Sequence, residues 1–225
     1  MKQSNKVLIA TFLLSALIIF IIPAAVNIQY LTGRNRPDGL HIYRTLDPFK
    51  TLIIKKLPNC LIVPSDSFRI GFSKKVEGYV SNSISNDTLF VTLKGAERSD
   101  SSEVILYIPI NKVNLIGAYS SKIRLRGQIR PNETPSYHFE LHNTILSLPR
   151  FIEHQSYNRL ELDGWENSSL VISDFNHLKD LSLSNLEMVT ISFQSEVTNL
   201  KTTFKSKANV QIIKTNTGTE IRSHQ

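Results

Sequence analysis

Two glutamates at matching positions of two similar segments are the first candidates for chemistry in this sequence. Glu140 and Glu161 are separated by an interval of 21, counted as the difference in residue number, and neighbouring parallel strands would place them about 5 Å apart. That separation suits a retaining glycosidase, in which one carboxyl group is the nucleophile and the other is the acid and base. Both side chains, however, fall on the polar face of their predicted strands, where no cleft is implied. We therefore predict a solvated charged column and assign no catalytic residue.

The histidines and the cysteine do not form a pattern typical of a metal or cofactor site. His138 and His142 are four residues apart, and on a strand they would share a face at a distance of about 13 Å. The sequence contains no glycine-rich phosphate loop and no Gly-x-Ser-x-Gly nucleophile motif. Cys60 is the only cysteine, which excludes an intramolecular disulfide, and its apolar neighbours predict a buried thiol. We predict no metal ligand, no cofactor and no enzymatic activity.

Three residues are candidates for contact with a partner. Trp165, the only tryptophan, directly follows the predicted turn residue Gly164. At this position its side chain would either anchor a partner or pack over the edge of a repeat unit. Arg159 and Asp180 are also separated by an interval of 21, and opposite charges on adjacent strands are mildly stabilising. We predict a contact surface that includes Trp165, Arg159 and Asp180. The outward column around the last two is expected to contain His138, Arg159, Asp180 and Lys201.

The net charge of +7 raises the question of a nucleic-acid partner. The basic residues are scattered, with only short pairs such as Lys55 and Lys56. No basic helix or aromatic-basic motif is present. We therefore expect no nucleic-acid partner.

A repeat of about 21 residues, a length typical of stacked coils, organises the C-terminal half. Apolar residues recur at this interval, each followed two residues later by a turn-former. Short runs rich in Val, Ile, Leu, Phe and Tyr, separated by Gly, Pro, Asn and Ser, predict an all-β domain. The repeat predicts a parallel β-solenoid, and a β-sandwich is the alternative. The apolar positions are Leu141, Leu162, Leu183 and Phe204, and the turn positions are Asn143, Gly164, Asn185 and Ser206.

An uncharged apolar run near the N-terminus predicts a membrane segment. Residues Val7 to Val26 contain no charge, and about 20 apolar residues are needed to cross a bilayer as a helix. A cleaved signal peptide is the alternative, since Ala24 and Ala25 resemble a cleavage site. The predicted domains are a transmembrane anchor (1–28), a juxtamembrane linker (29–48), an all-β solenoid (49–214) and a flexible tail (215–225).

The order of three strand segments resembles a known family. The segments are FKTLIIKKLPNCLIVPSDSFRIGF, DTLFVTLKG and SEVILYIPINKVNLIGAYSSKIRLRG. They resemble the autotransporter-adhesin head (GIN) domains of Bacteroidota, although the turns here are poorer in Gly and Ser. The resemblance covers about 49–213 and implies an exported, right-handed, membrane-anchored β-solenoid of unassigned biochemistry.

We therefore expect a non-enzymatic binding, adhesion or scaffold module of the bacterial envelope. Its partners would be the membrane, through a single-pass anchor, and a protein or glycan at the envelope. The expected location is the bacterial inner membrane, with the C-terminal domain in the periplasm or outside the cell. Export after signal cleavage is the alternative. The competing functions are a carbohydrate-active enzyme on a β-helix scaffold and an envelope signalling or transporter-accessory protein.

Overall fold

Short β-strands form nearly all of the regular structure of the residues that the structure describes. The computed structural model describes residues 41–73, 76–95, 103–128, 134–192, 194–203, 211–215 and 221–222. These ranges contain eighteen strands and no α-helix, which confirms the all-β prediction. No helix among the described residues is long and apolar enough to cross a membrane. The predicted membrane segment, Val7 to Val26, lies outside the described residues.

The strands form two sheets of mixed orientation. The eight-stranded sheet contains, in spatial order, β16 (Glu196–Thr203), β14 (Asn176–Ser184), β12 (Gln155–Trp165), β10 (Ser136–His142), β8 (Leu115–Tyr119), β2 (Thr51–Lys55), β6 (Thr88–Leu93) and β5 (Val80–Ser85). The ten-stranded sheet contains β1 (His41–Thr45), β4 (Arg69–Ser73), β7 (Val104–Pro109), β3 (Cys60–Ser65), β9 (Lys122–Leu125), β11 (Ile145–Leu148), β13 (Ser169–Ile172), β15 (Met188–Ser192), β17 (Gln211–Thr215) and β18 (Ile221–Arg222). Buried residues from both sheets form one apolar core, so the layers are sandwich-like.

From β8 onward, successive strands alternate between the two sheets. Strands β8, β10, β12, β14 and β16 lie in the eight-stranded sheet, and β9, β11, β13, β15 and β17 lie in the ten-stranded sheet. Each of these strands pairs in parallel with the next strand of its own sheet. Antiparallel pairs occur elsewhere, between β1 and β4, β4 and β7, β5 and β6, and β17 and β18.

The sequence predicted a constant interval of 21 between paired residues, but the observed interval varies. Phe139 pairs with Ile116 on one side and with Leu162 on the other, at an interval of 23 in both cases. Leu162 pairs with Leu183 at an interval of 21, and Leu183 pairs with Thr202 at an interval of 19. Phe139, Leu162 and Leu183 are buried, so the in-register stack of apolar side chains begins two residues before the predicted position in β10.

Two details of the predicted repeat are therefore wrong. Leu141 pairs with Gly164 and not with Leu162. Gly164 is a buried residue inside β12 and does not form the turn. The turn after β12 uses Glu166 and Asn167, which both have positive φ. The intervals differ because the connections differ in length: six residues lie between β11 and β12, and three lie between β13 and β14.

The strands also extend beyond the predicted domain limits of 49–214. Strand β1 lies within the segment 29–48 that was predicted as a linker, and its backbone pairs with β4. Strand β18 lies within the predicted tail, 215–225, and pairs with β17. The last two predicted repeat positions, Phe204 and Ser206, lie outside the described residues.

Candidate binding surface

Arg159 and Asp180 are direct neighbours on the outer face of the eight-stranded sheet. The Asp180 carboxylate accepts a hydrogen bond of 2.8 Å from the side-chain amide of Asn199. The prediction of their other neighbours was wrong, because the flanking strands pair at intervals of 23 and 19 and not of 21. The column consists of Ser136, Arg159, Asp180 and Asn199, while His138 and Lys201 lie in the next column with Glu161 and Ser182.

The predicted pair of glutamates is not formed. Glu140 lies opposite Asp163, and Glu161 lies opposite His138. Asp163 accepts hydrogen bonds of 2.9 and 2.7 Å from the side chains of Ser184 and Asn185, while Glu161 forms an ion pair within its own strand. A shallow depression of about 310 Å³ lies over Glu161 and Asp163. These two carboxylates are thus engaged in surface hydrogen bonds and ion pairs.

Trp165 lies at the far end of β12, roughly 20 Å along the strand from Arg159. Its ring stacks on that of His142, with centroids 6.1 Å apart and planes 8° from parallel. His142 stacks in turn on Tyr119, with centroids 4.6 Å apart and planes at 12°. The Lys55 ammonium lies 5.5 Å from the centroid of the Tyr119 ring. We call Tyr119, His142 and Trp165 the aromatic column. The structure does not bring Trp165 together with Arg159.

A regular interval in the sequence marks the aromatic column. Tyr119, His142 and Trp165 follow one another at an interval of 23, and they pair in register across β8, β10 and β12. Lys55 precedes them in the same register, opposite Tyr119. An interval of 21 aligns His142 with Asp163, so the aromatic column was not predicted from the repeat.

The aromatic column is held in place by tight turns. Each of its residues ends a strand, and the next residue begins a turn with positive φ, 49° at Ser120 and 47° at Asn143. Asparagine tolerates this backbone region better than most residues. Each column carbonyl also accepts a hydrogen bond from the turn of the preceding unit. The backbone N–H groups of Lys56, Ser120 and Asn143 donate to the carbonyl oxygens of Tyr119, His142 and Trp165 at 2.9, 2.9 and 3.1 Å.

Buried hydroxyl groups hold the same carbonyl oxygens from inside the protein. Ser121, Thr144 and Ser168 are buried. Their hydroxyl groups donate to the carbonyl oxygens of Tyr119, His142 and Trp165 at 2.8, 2.8 and 2.5 Å. A buried hydroxyl without a partner costs about 1–3 kcal/mol, so these bonds favour one backbone geometry. The backbone under the aromatic column is therefore fixed from both sides.

A groove runs beside the aromatic column, where the chain turns from the eight-stranded to the ten-stranded sheet. Its volume is about 410 Å³. Lysine, asparagine and serine side chains line most of it, and Ile145, which is exposed, adds an apolar patch. We call this the corner groove. It is lined by Lys56, Pro58, Ser120, Ser121, Lys122, Asn143, Ile145 and Asn167.

The groups with displaced pKa values lie in the core and not on this surface. Burial raises the pKa of the Cys60 thiol to about 12, with a smaller contribution from Glu103. The thiol is fully buried, as predicted. Burial also raises the pKa of Tyr137 and Tyr157, and the Tyr157 hydroxyl donates a 3.0 Å hydrogen bond to the Leu125 carbonyl oxygen. In the described part of the chain, no three His, Cys, Asp or Glu side chains could hold a metal ion together.

The described residues thus define an all-β, two-sheet protein that carries an aromatic column and a polar groove on an open surface. No family model and no curated protein matches the chain. A solved "putative adhesin" of Parabacteroides merdae is similar, with a TM-score of 0.47 and 16% identity over 79% of this chain and 82% of that chain. A second, from Parabacteroides distasonis, has a TM-score of 0.41 and 14% identity over 74% and 79% of the two chains. A "putative lipid binding protein" of the same organism has a TM-score of 0.34 and 6% identity over 80% and 98%.

Proposed function

We propose that this chain is a non-enzymatic binding module of the bacterial cell envelope. The observation that carries the proposal is the aromatic column, in which Tyr119, His142 and Trp165 stack in register on an outer surface. Aromatic side chains supply large contact areas at low entropic cost. Here hydrogen bonds to the backbone of all three residues preorganise them, so little ordering remains to be done when a partner binds.

We further propose that β8 to β17 form coils of a parallel β-solenoid, as in the GIN-type domains that the sequence resembles. The alternation of successive strands between two sheets supports this proposal, as do the parallel pairings at intervals of 23, 21 and 19. A solenoid offers long, regular faces built from equivalent positions of successive coils. Such faces suit adhesion or scaffolding.

The anchor and the location are also proposals. Residues Val7 to Val26 would span the inner membrane once, and the β domain would face the periplasm or the exterior. The uncharged length of the run supports a spanning helix. The test is fractionation of cells with protease added before and after the outer barrier is opened. Cleavage of a membrane-bound domain only after opening is expected for the periplasm, and cleavage on intact cells for the exterior. Protection under both conditions would place the domain in the cytoplasm and contradict the proposal.

Binding is tested with full-length protein in a mild detergent against immobilised polysaccharides and purified envelope proteins. The retained protein is quantified by gel densitometry, and in proteins that keep Trp165, the only tryptophan, a change in its emission reports contact with the partner. We expect at least one surface to retain the protein, and Trp165→Ala with Tyr119→Ala to abolish retention. The matched control is Ile152→Ala, which removes another exposed large side chain and should bind as the unchanged protein does. Equal binding by the double variant would contradict the role of the aromatic column.

The enzyme alternative is tested in the same samples. New reducing ends are measured after incubation of each polysaccharide with the protein. Release of sugar that stops in Glu140→Gln or Asp163→Asn would replace the binding proposal with a glycosidase. Binding without release is the expected result.

A further inference from the structure

Several side chains that donate hydrogen bonds line the corner groove, together with the apolar Pro58 and Ile145. Lys56 and Lys122 contribute ammonium groups, Asn143 and Asn167 contribute amides, and Ser120 contributes a hydroxyl group. Ammonium groups donate only, whereas amides and hydroxyls both donate and accept. A ligand that complements the two ammonium groups must present acceptors to them. Carboxylate and sulfate groups do so, and each gains a charge-assisted hydrogen bond from an ammonium group.

The aromatic column beside the groove carries donors as well. Lys55 lies against Tyr119 at its first position, and the ring edges of stacked aromatics carry partial positive charge. The tyrosine hydroxyl adds a further donor. Tyr119 and His142 each cover one face of the other ring, with centroids 4.6 Å apart. The positive ring edges favour an anion as the ligand.

Positive charge is concentrated at one end of this corner. Lys55, Lys56 and Lys122 lie at the β2 and β8 end of the corner, and all three are exposed. Among the described turn residues of the same corner, Glu166 and Glu187 are the carboxylates, and they follow β12 and β14. The lysines and the glutamates thus lie at different ends of the corner. An anionic chain would bind most strongly at the lysine end.

Two of the donors lie at the spacing of the strands. Ser120 and Asn143 directly follow paired residues of β8 and β10, and adjacent strands lie about 4.8 Å apart. Glu166 is the next position in this register, and Asn167 follows it. An extended polysaccharide advances by a similar length for each sugar. We infer that the corner groove and the aromatic column bind a linear acidic polysaccharide, whose carboxylate or sulfate groups face Lys55, Lys56 and Lys122. This inference rests on the proposed binding function and names its ligand class.

The test compares ligands that differ only in charge. Full-length protein is titrated with polygalacturonate and with its methyl ester, and separately with dextran sulfate and with dextran. We expect binding to the two anionic polymers that is at least tenfold tighter than to their neutral counterparts and that weakens as salt rises. Vesicles of phosphatidylglycerol and a single-stranded oligonucleotide are titrated in parallel. Binding to these and to neither acidic polymer would overturn the inference.

Charge variants locate the site. Lys56→Gln with Lys122→Gln should weaken binding by on the order of tenfold or more, since a single charge near a ligand charge is worth roughly fivefold in solvent. Glu166→Gln should strengthen binding by a few-fold. Lys112→Gln is the matched control, because this exposed lysine lies before β8, at the opposite end of that strand from Tyr119. Folding of every variant is checked by circular dichroism and thermal unfolding.

The outcomes separate this inference from the proposed function. Equal affinity for charged and neutral polymers, with loss of both in Trp165→Ala plus Tyr119→Ala, would refute the acidic ligand and leave the binding module standing. Unchanged affinity for the anionic polymers in the double lysine variant would also refute the inference. Absence of binding to every polysaccharide and envelope protein would remove both proposals.

Discussion

Gly164 lies so close to Leu186 that a Cβ added to the glycine would sit 2.5 Å from the Leu186 Cδ2 atom. The same Cβ would also lie 3.1 Å from the carbonyl oxygen of Asn185 and from the Cα atom of Leu186. Two of these three atoms belong to the backbone, which cannot rotate away. The glycine therefore allows the turn after β14 to pack against the end of β12, next to Trp165.

We expect Gly164→Ala to destabilise the protein by about 1–3 kcal/mol, as overpacking of a close backbone contact does. The free energy of unfolding is measured by urea denaturation. The matched control is Gly78→Ala, because nothing lies within 4 Å of a Cβ at Gly78. That variant should be neutral or slightly more stable. Equal stability of the two variants would show that β12 and the β14 turn do not pack as described.

Thr144 provides a test of the buried hydroxyl groups under the aromatic column. Its hydroxyl group lies 2.8 and 3.1 Å from the carbonyl oxygens of His142 and Ala118 and accepts a hydrogen bond from the backbone of Ser121. Thr144→Val keeps the shape and removes these bonds. We expect a loss of about 1–3 kcal/mol in the free energy of unfolding, because buried polar groups are left without partners. Thr198→Val, at an exposed position of β16, should change stability by less than about 0.5 kcal/mol.

Alkaline pH should destabilise the protein through Cys60. Burial raises the pKa of its thiol from an ordinary value of 9.0 to about 12, so the folded state keeps a proton that the unfolded chain releases. The stability is therefore fully present below pH 9 and is lost progressively as the pH rises towards 12. Burial shifts the pKa of Tyr137 and Tyr157 in the same direction. Thermal unfolding from pH 8 to pH 11 measures the loss.

Cys60→Ala isolates the contribution of the thiol. The variant is less stable at neutral pH because a buried side chain is shortened, but its stability should fall less steeply above pH 9. The thiol of the unchanged protein should also resist iodoacetamide in buffer and react in denaturant. Rapid alkylation of the folded protein would contradict the burial of Cys60.

The stacking within the aromatic column is tested by His142→Ala. Trp165 is already 42% exposed, and removal of the imidazole uncovers one face of the indole. We expect a red shift of the tryptophan emission, stronger quenching by iodide and a stability change of about 1 kcal/mol. His154→Ala is the control, because His154 packs against Phe175 away from the column and should leave the emission unchanged. Unchanged emission in both variants would mean that His142 and Trp165 are not stacked in solution.

The sequence predicted the strands better than their alignment. Runs such as TLIIK and TLFVTL alternate buried and more exposed positions as strands do, and their composition identified them. The register depends on how many residues each connection uses, and β12 continues through Gly164 where the sequence indicated a turn. A sequence does not distinguish a glycine within a strand from a glycine in a turn. In the structure, Gly164 lies within β12, where its missing side chain leaves room for Leu186.

The positions of the candidate residues depend on the same register, and their role in contact with a partner stays a prediction. Arg159 and Asp180 are adjacent as predicted, because β12 and β14 pair at the interval of 21 that the repeat indicated. Tyr119 and His142 were missed because β8 and β10 pair at a longer interval. The lysines that line the corner groove, Lys56 and Lys122, are far apart in sequence, and no pattern of spacing predicts that they line one groove.

Between β8 and β12, the connections are short at one edge of the sheets and longer at the other, whereas both edges have three-residue connections from β12 to β16. At the corner that carries the aromatic column, two residues join β8 to β9 and two join β10 to β11. At the opposite edge, ten residues join β9 to β10 and six join β11 to β12. Length can therefore change at the opposite edge without moving the column out of alignment. Protein engineers could insert an epitope tag or a fluorescent-protein fusion between β11 and β12 and keep the recognition edge intact.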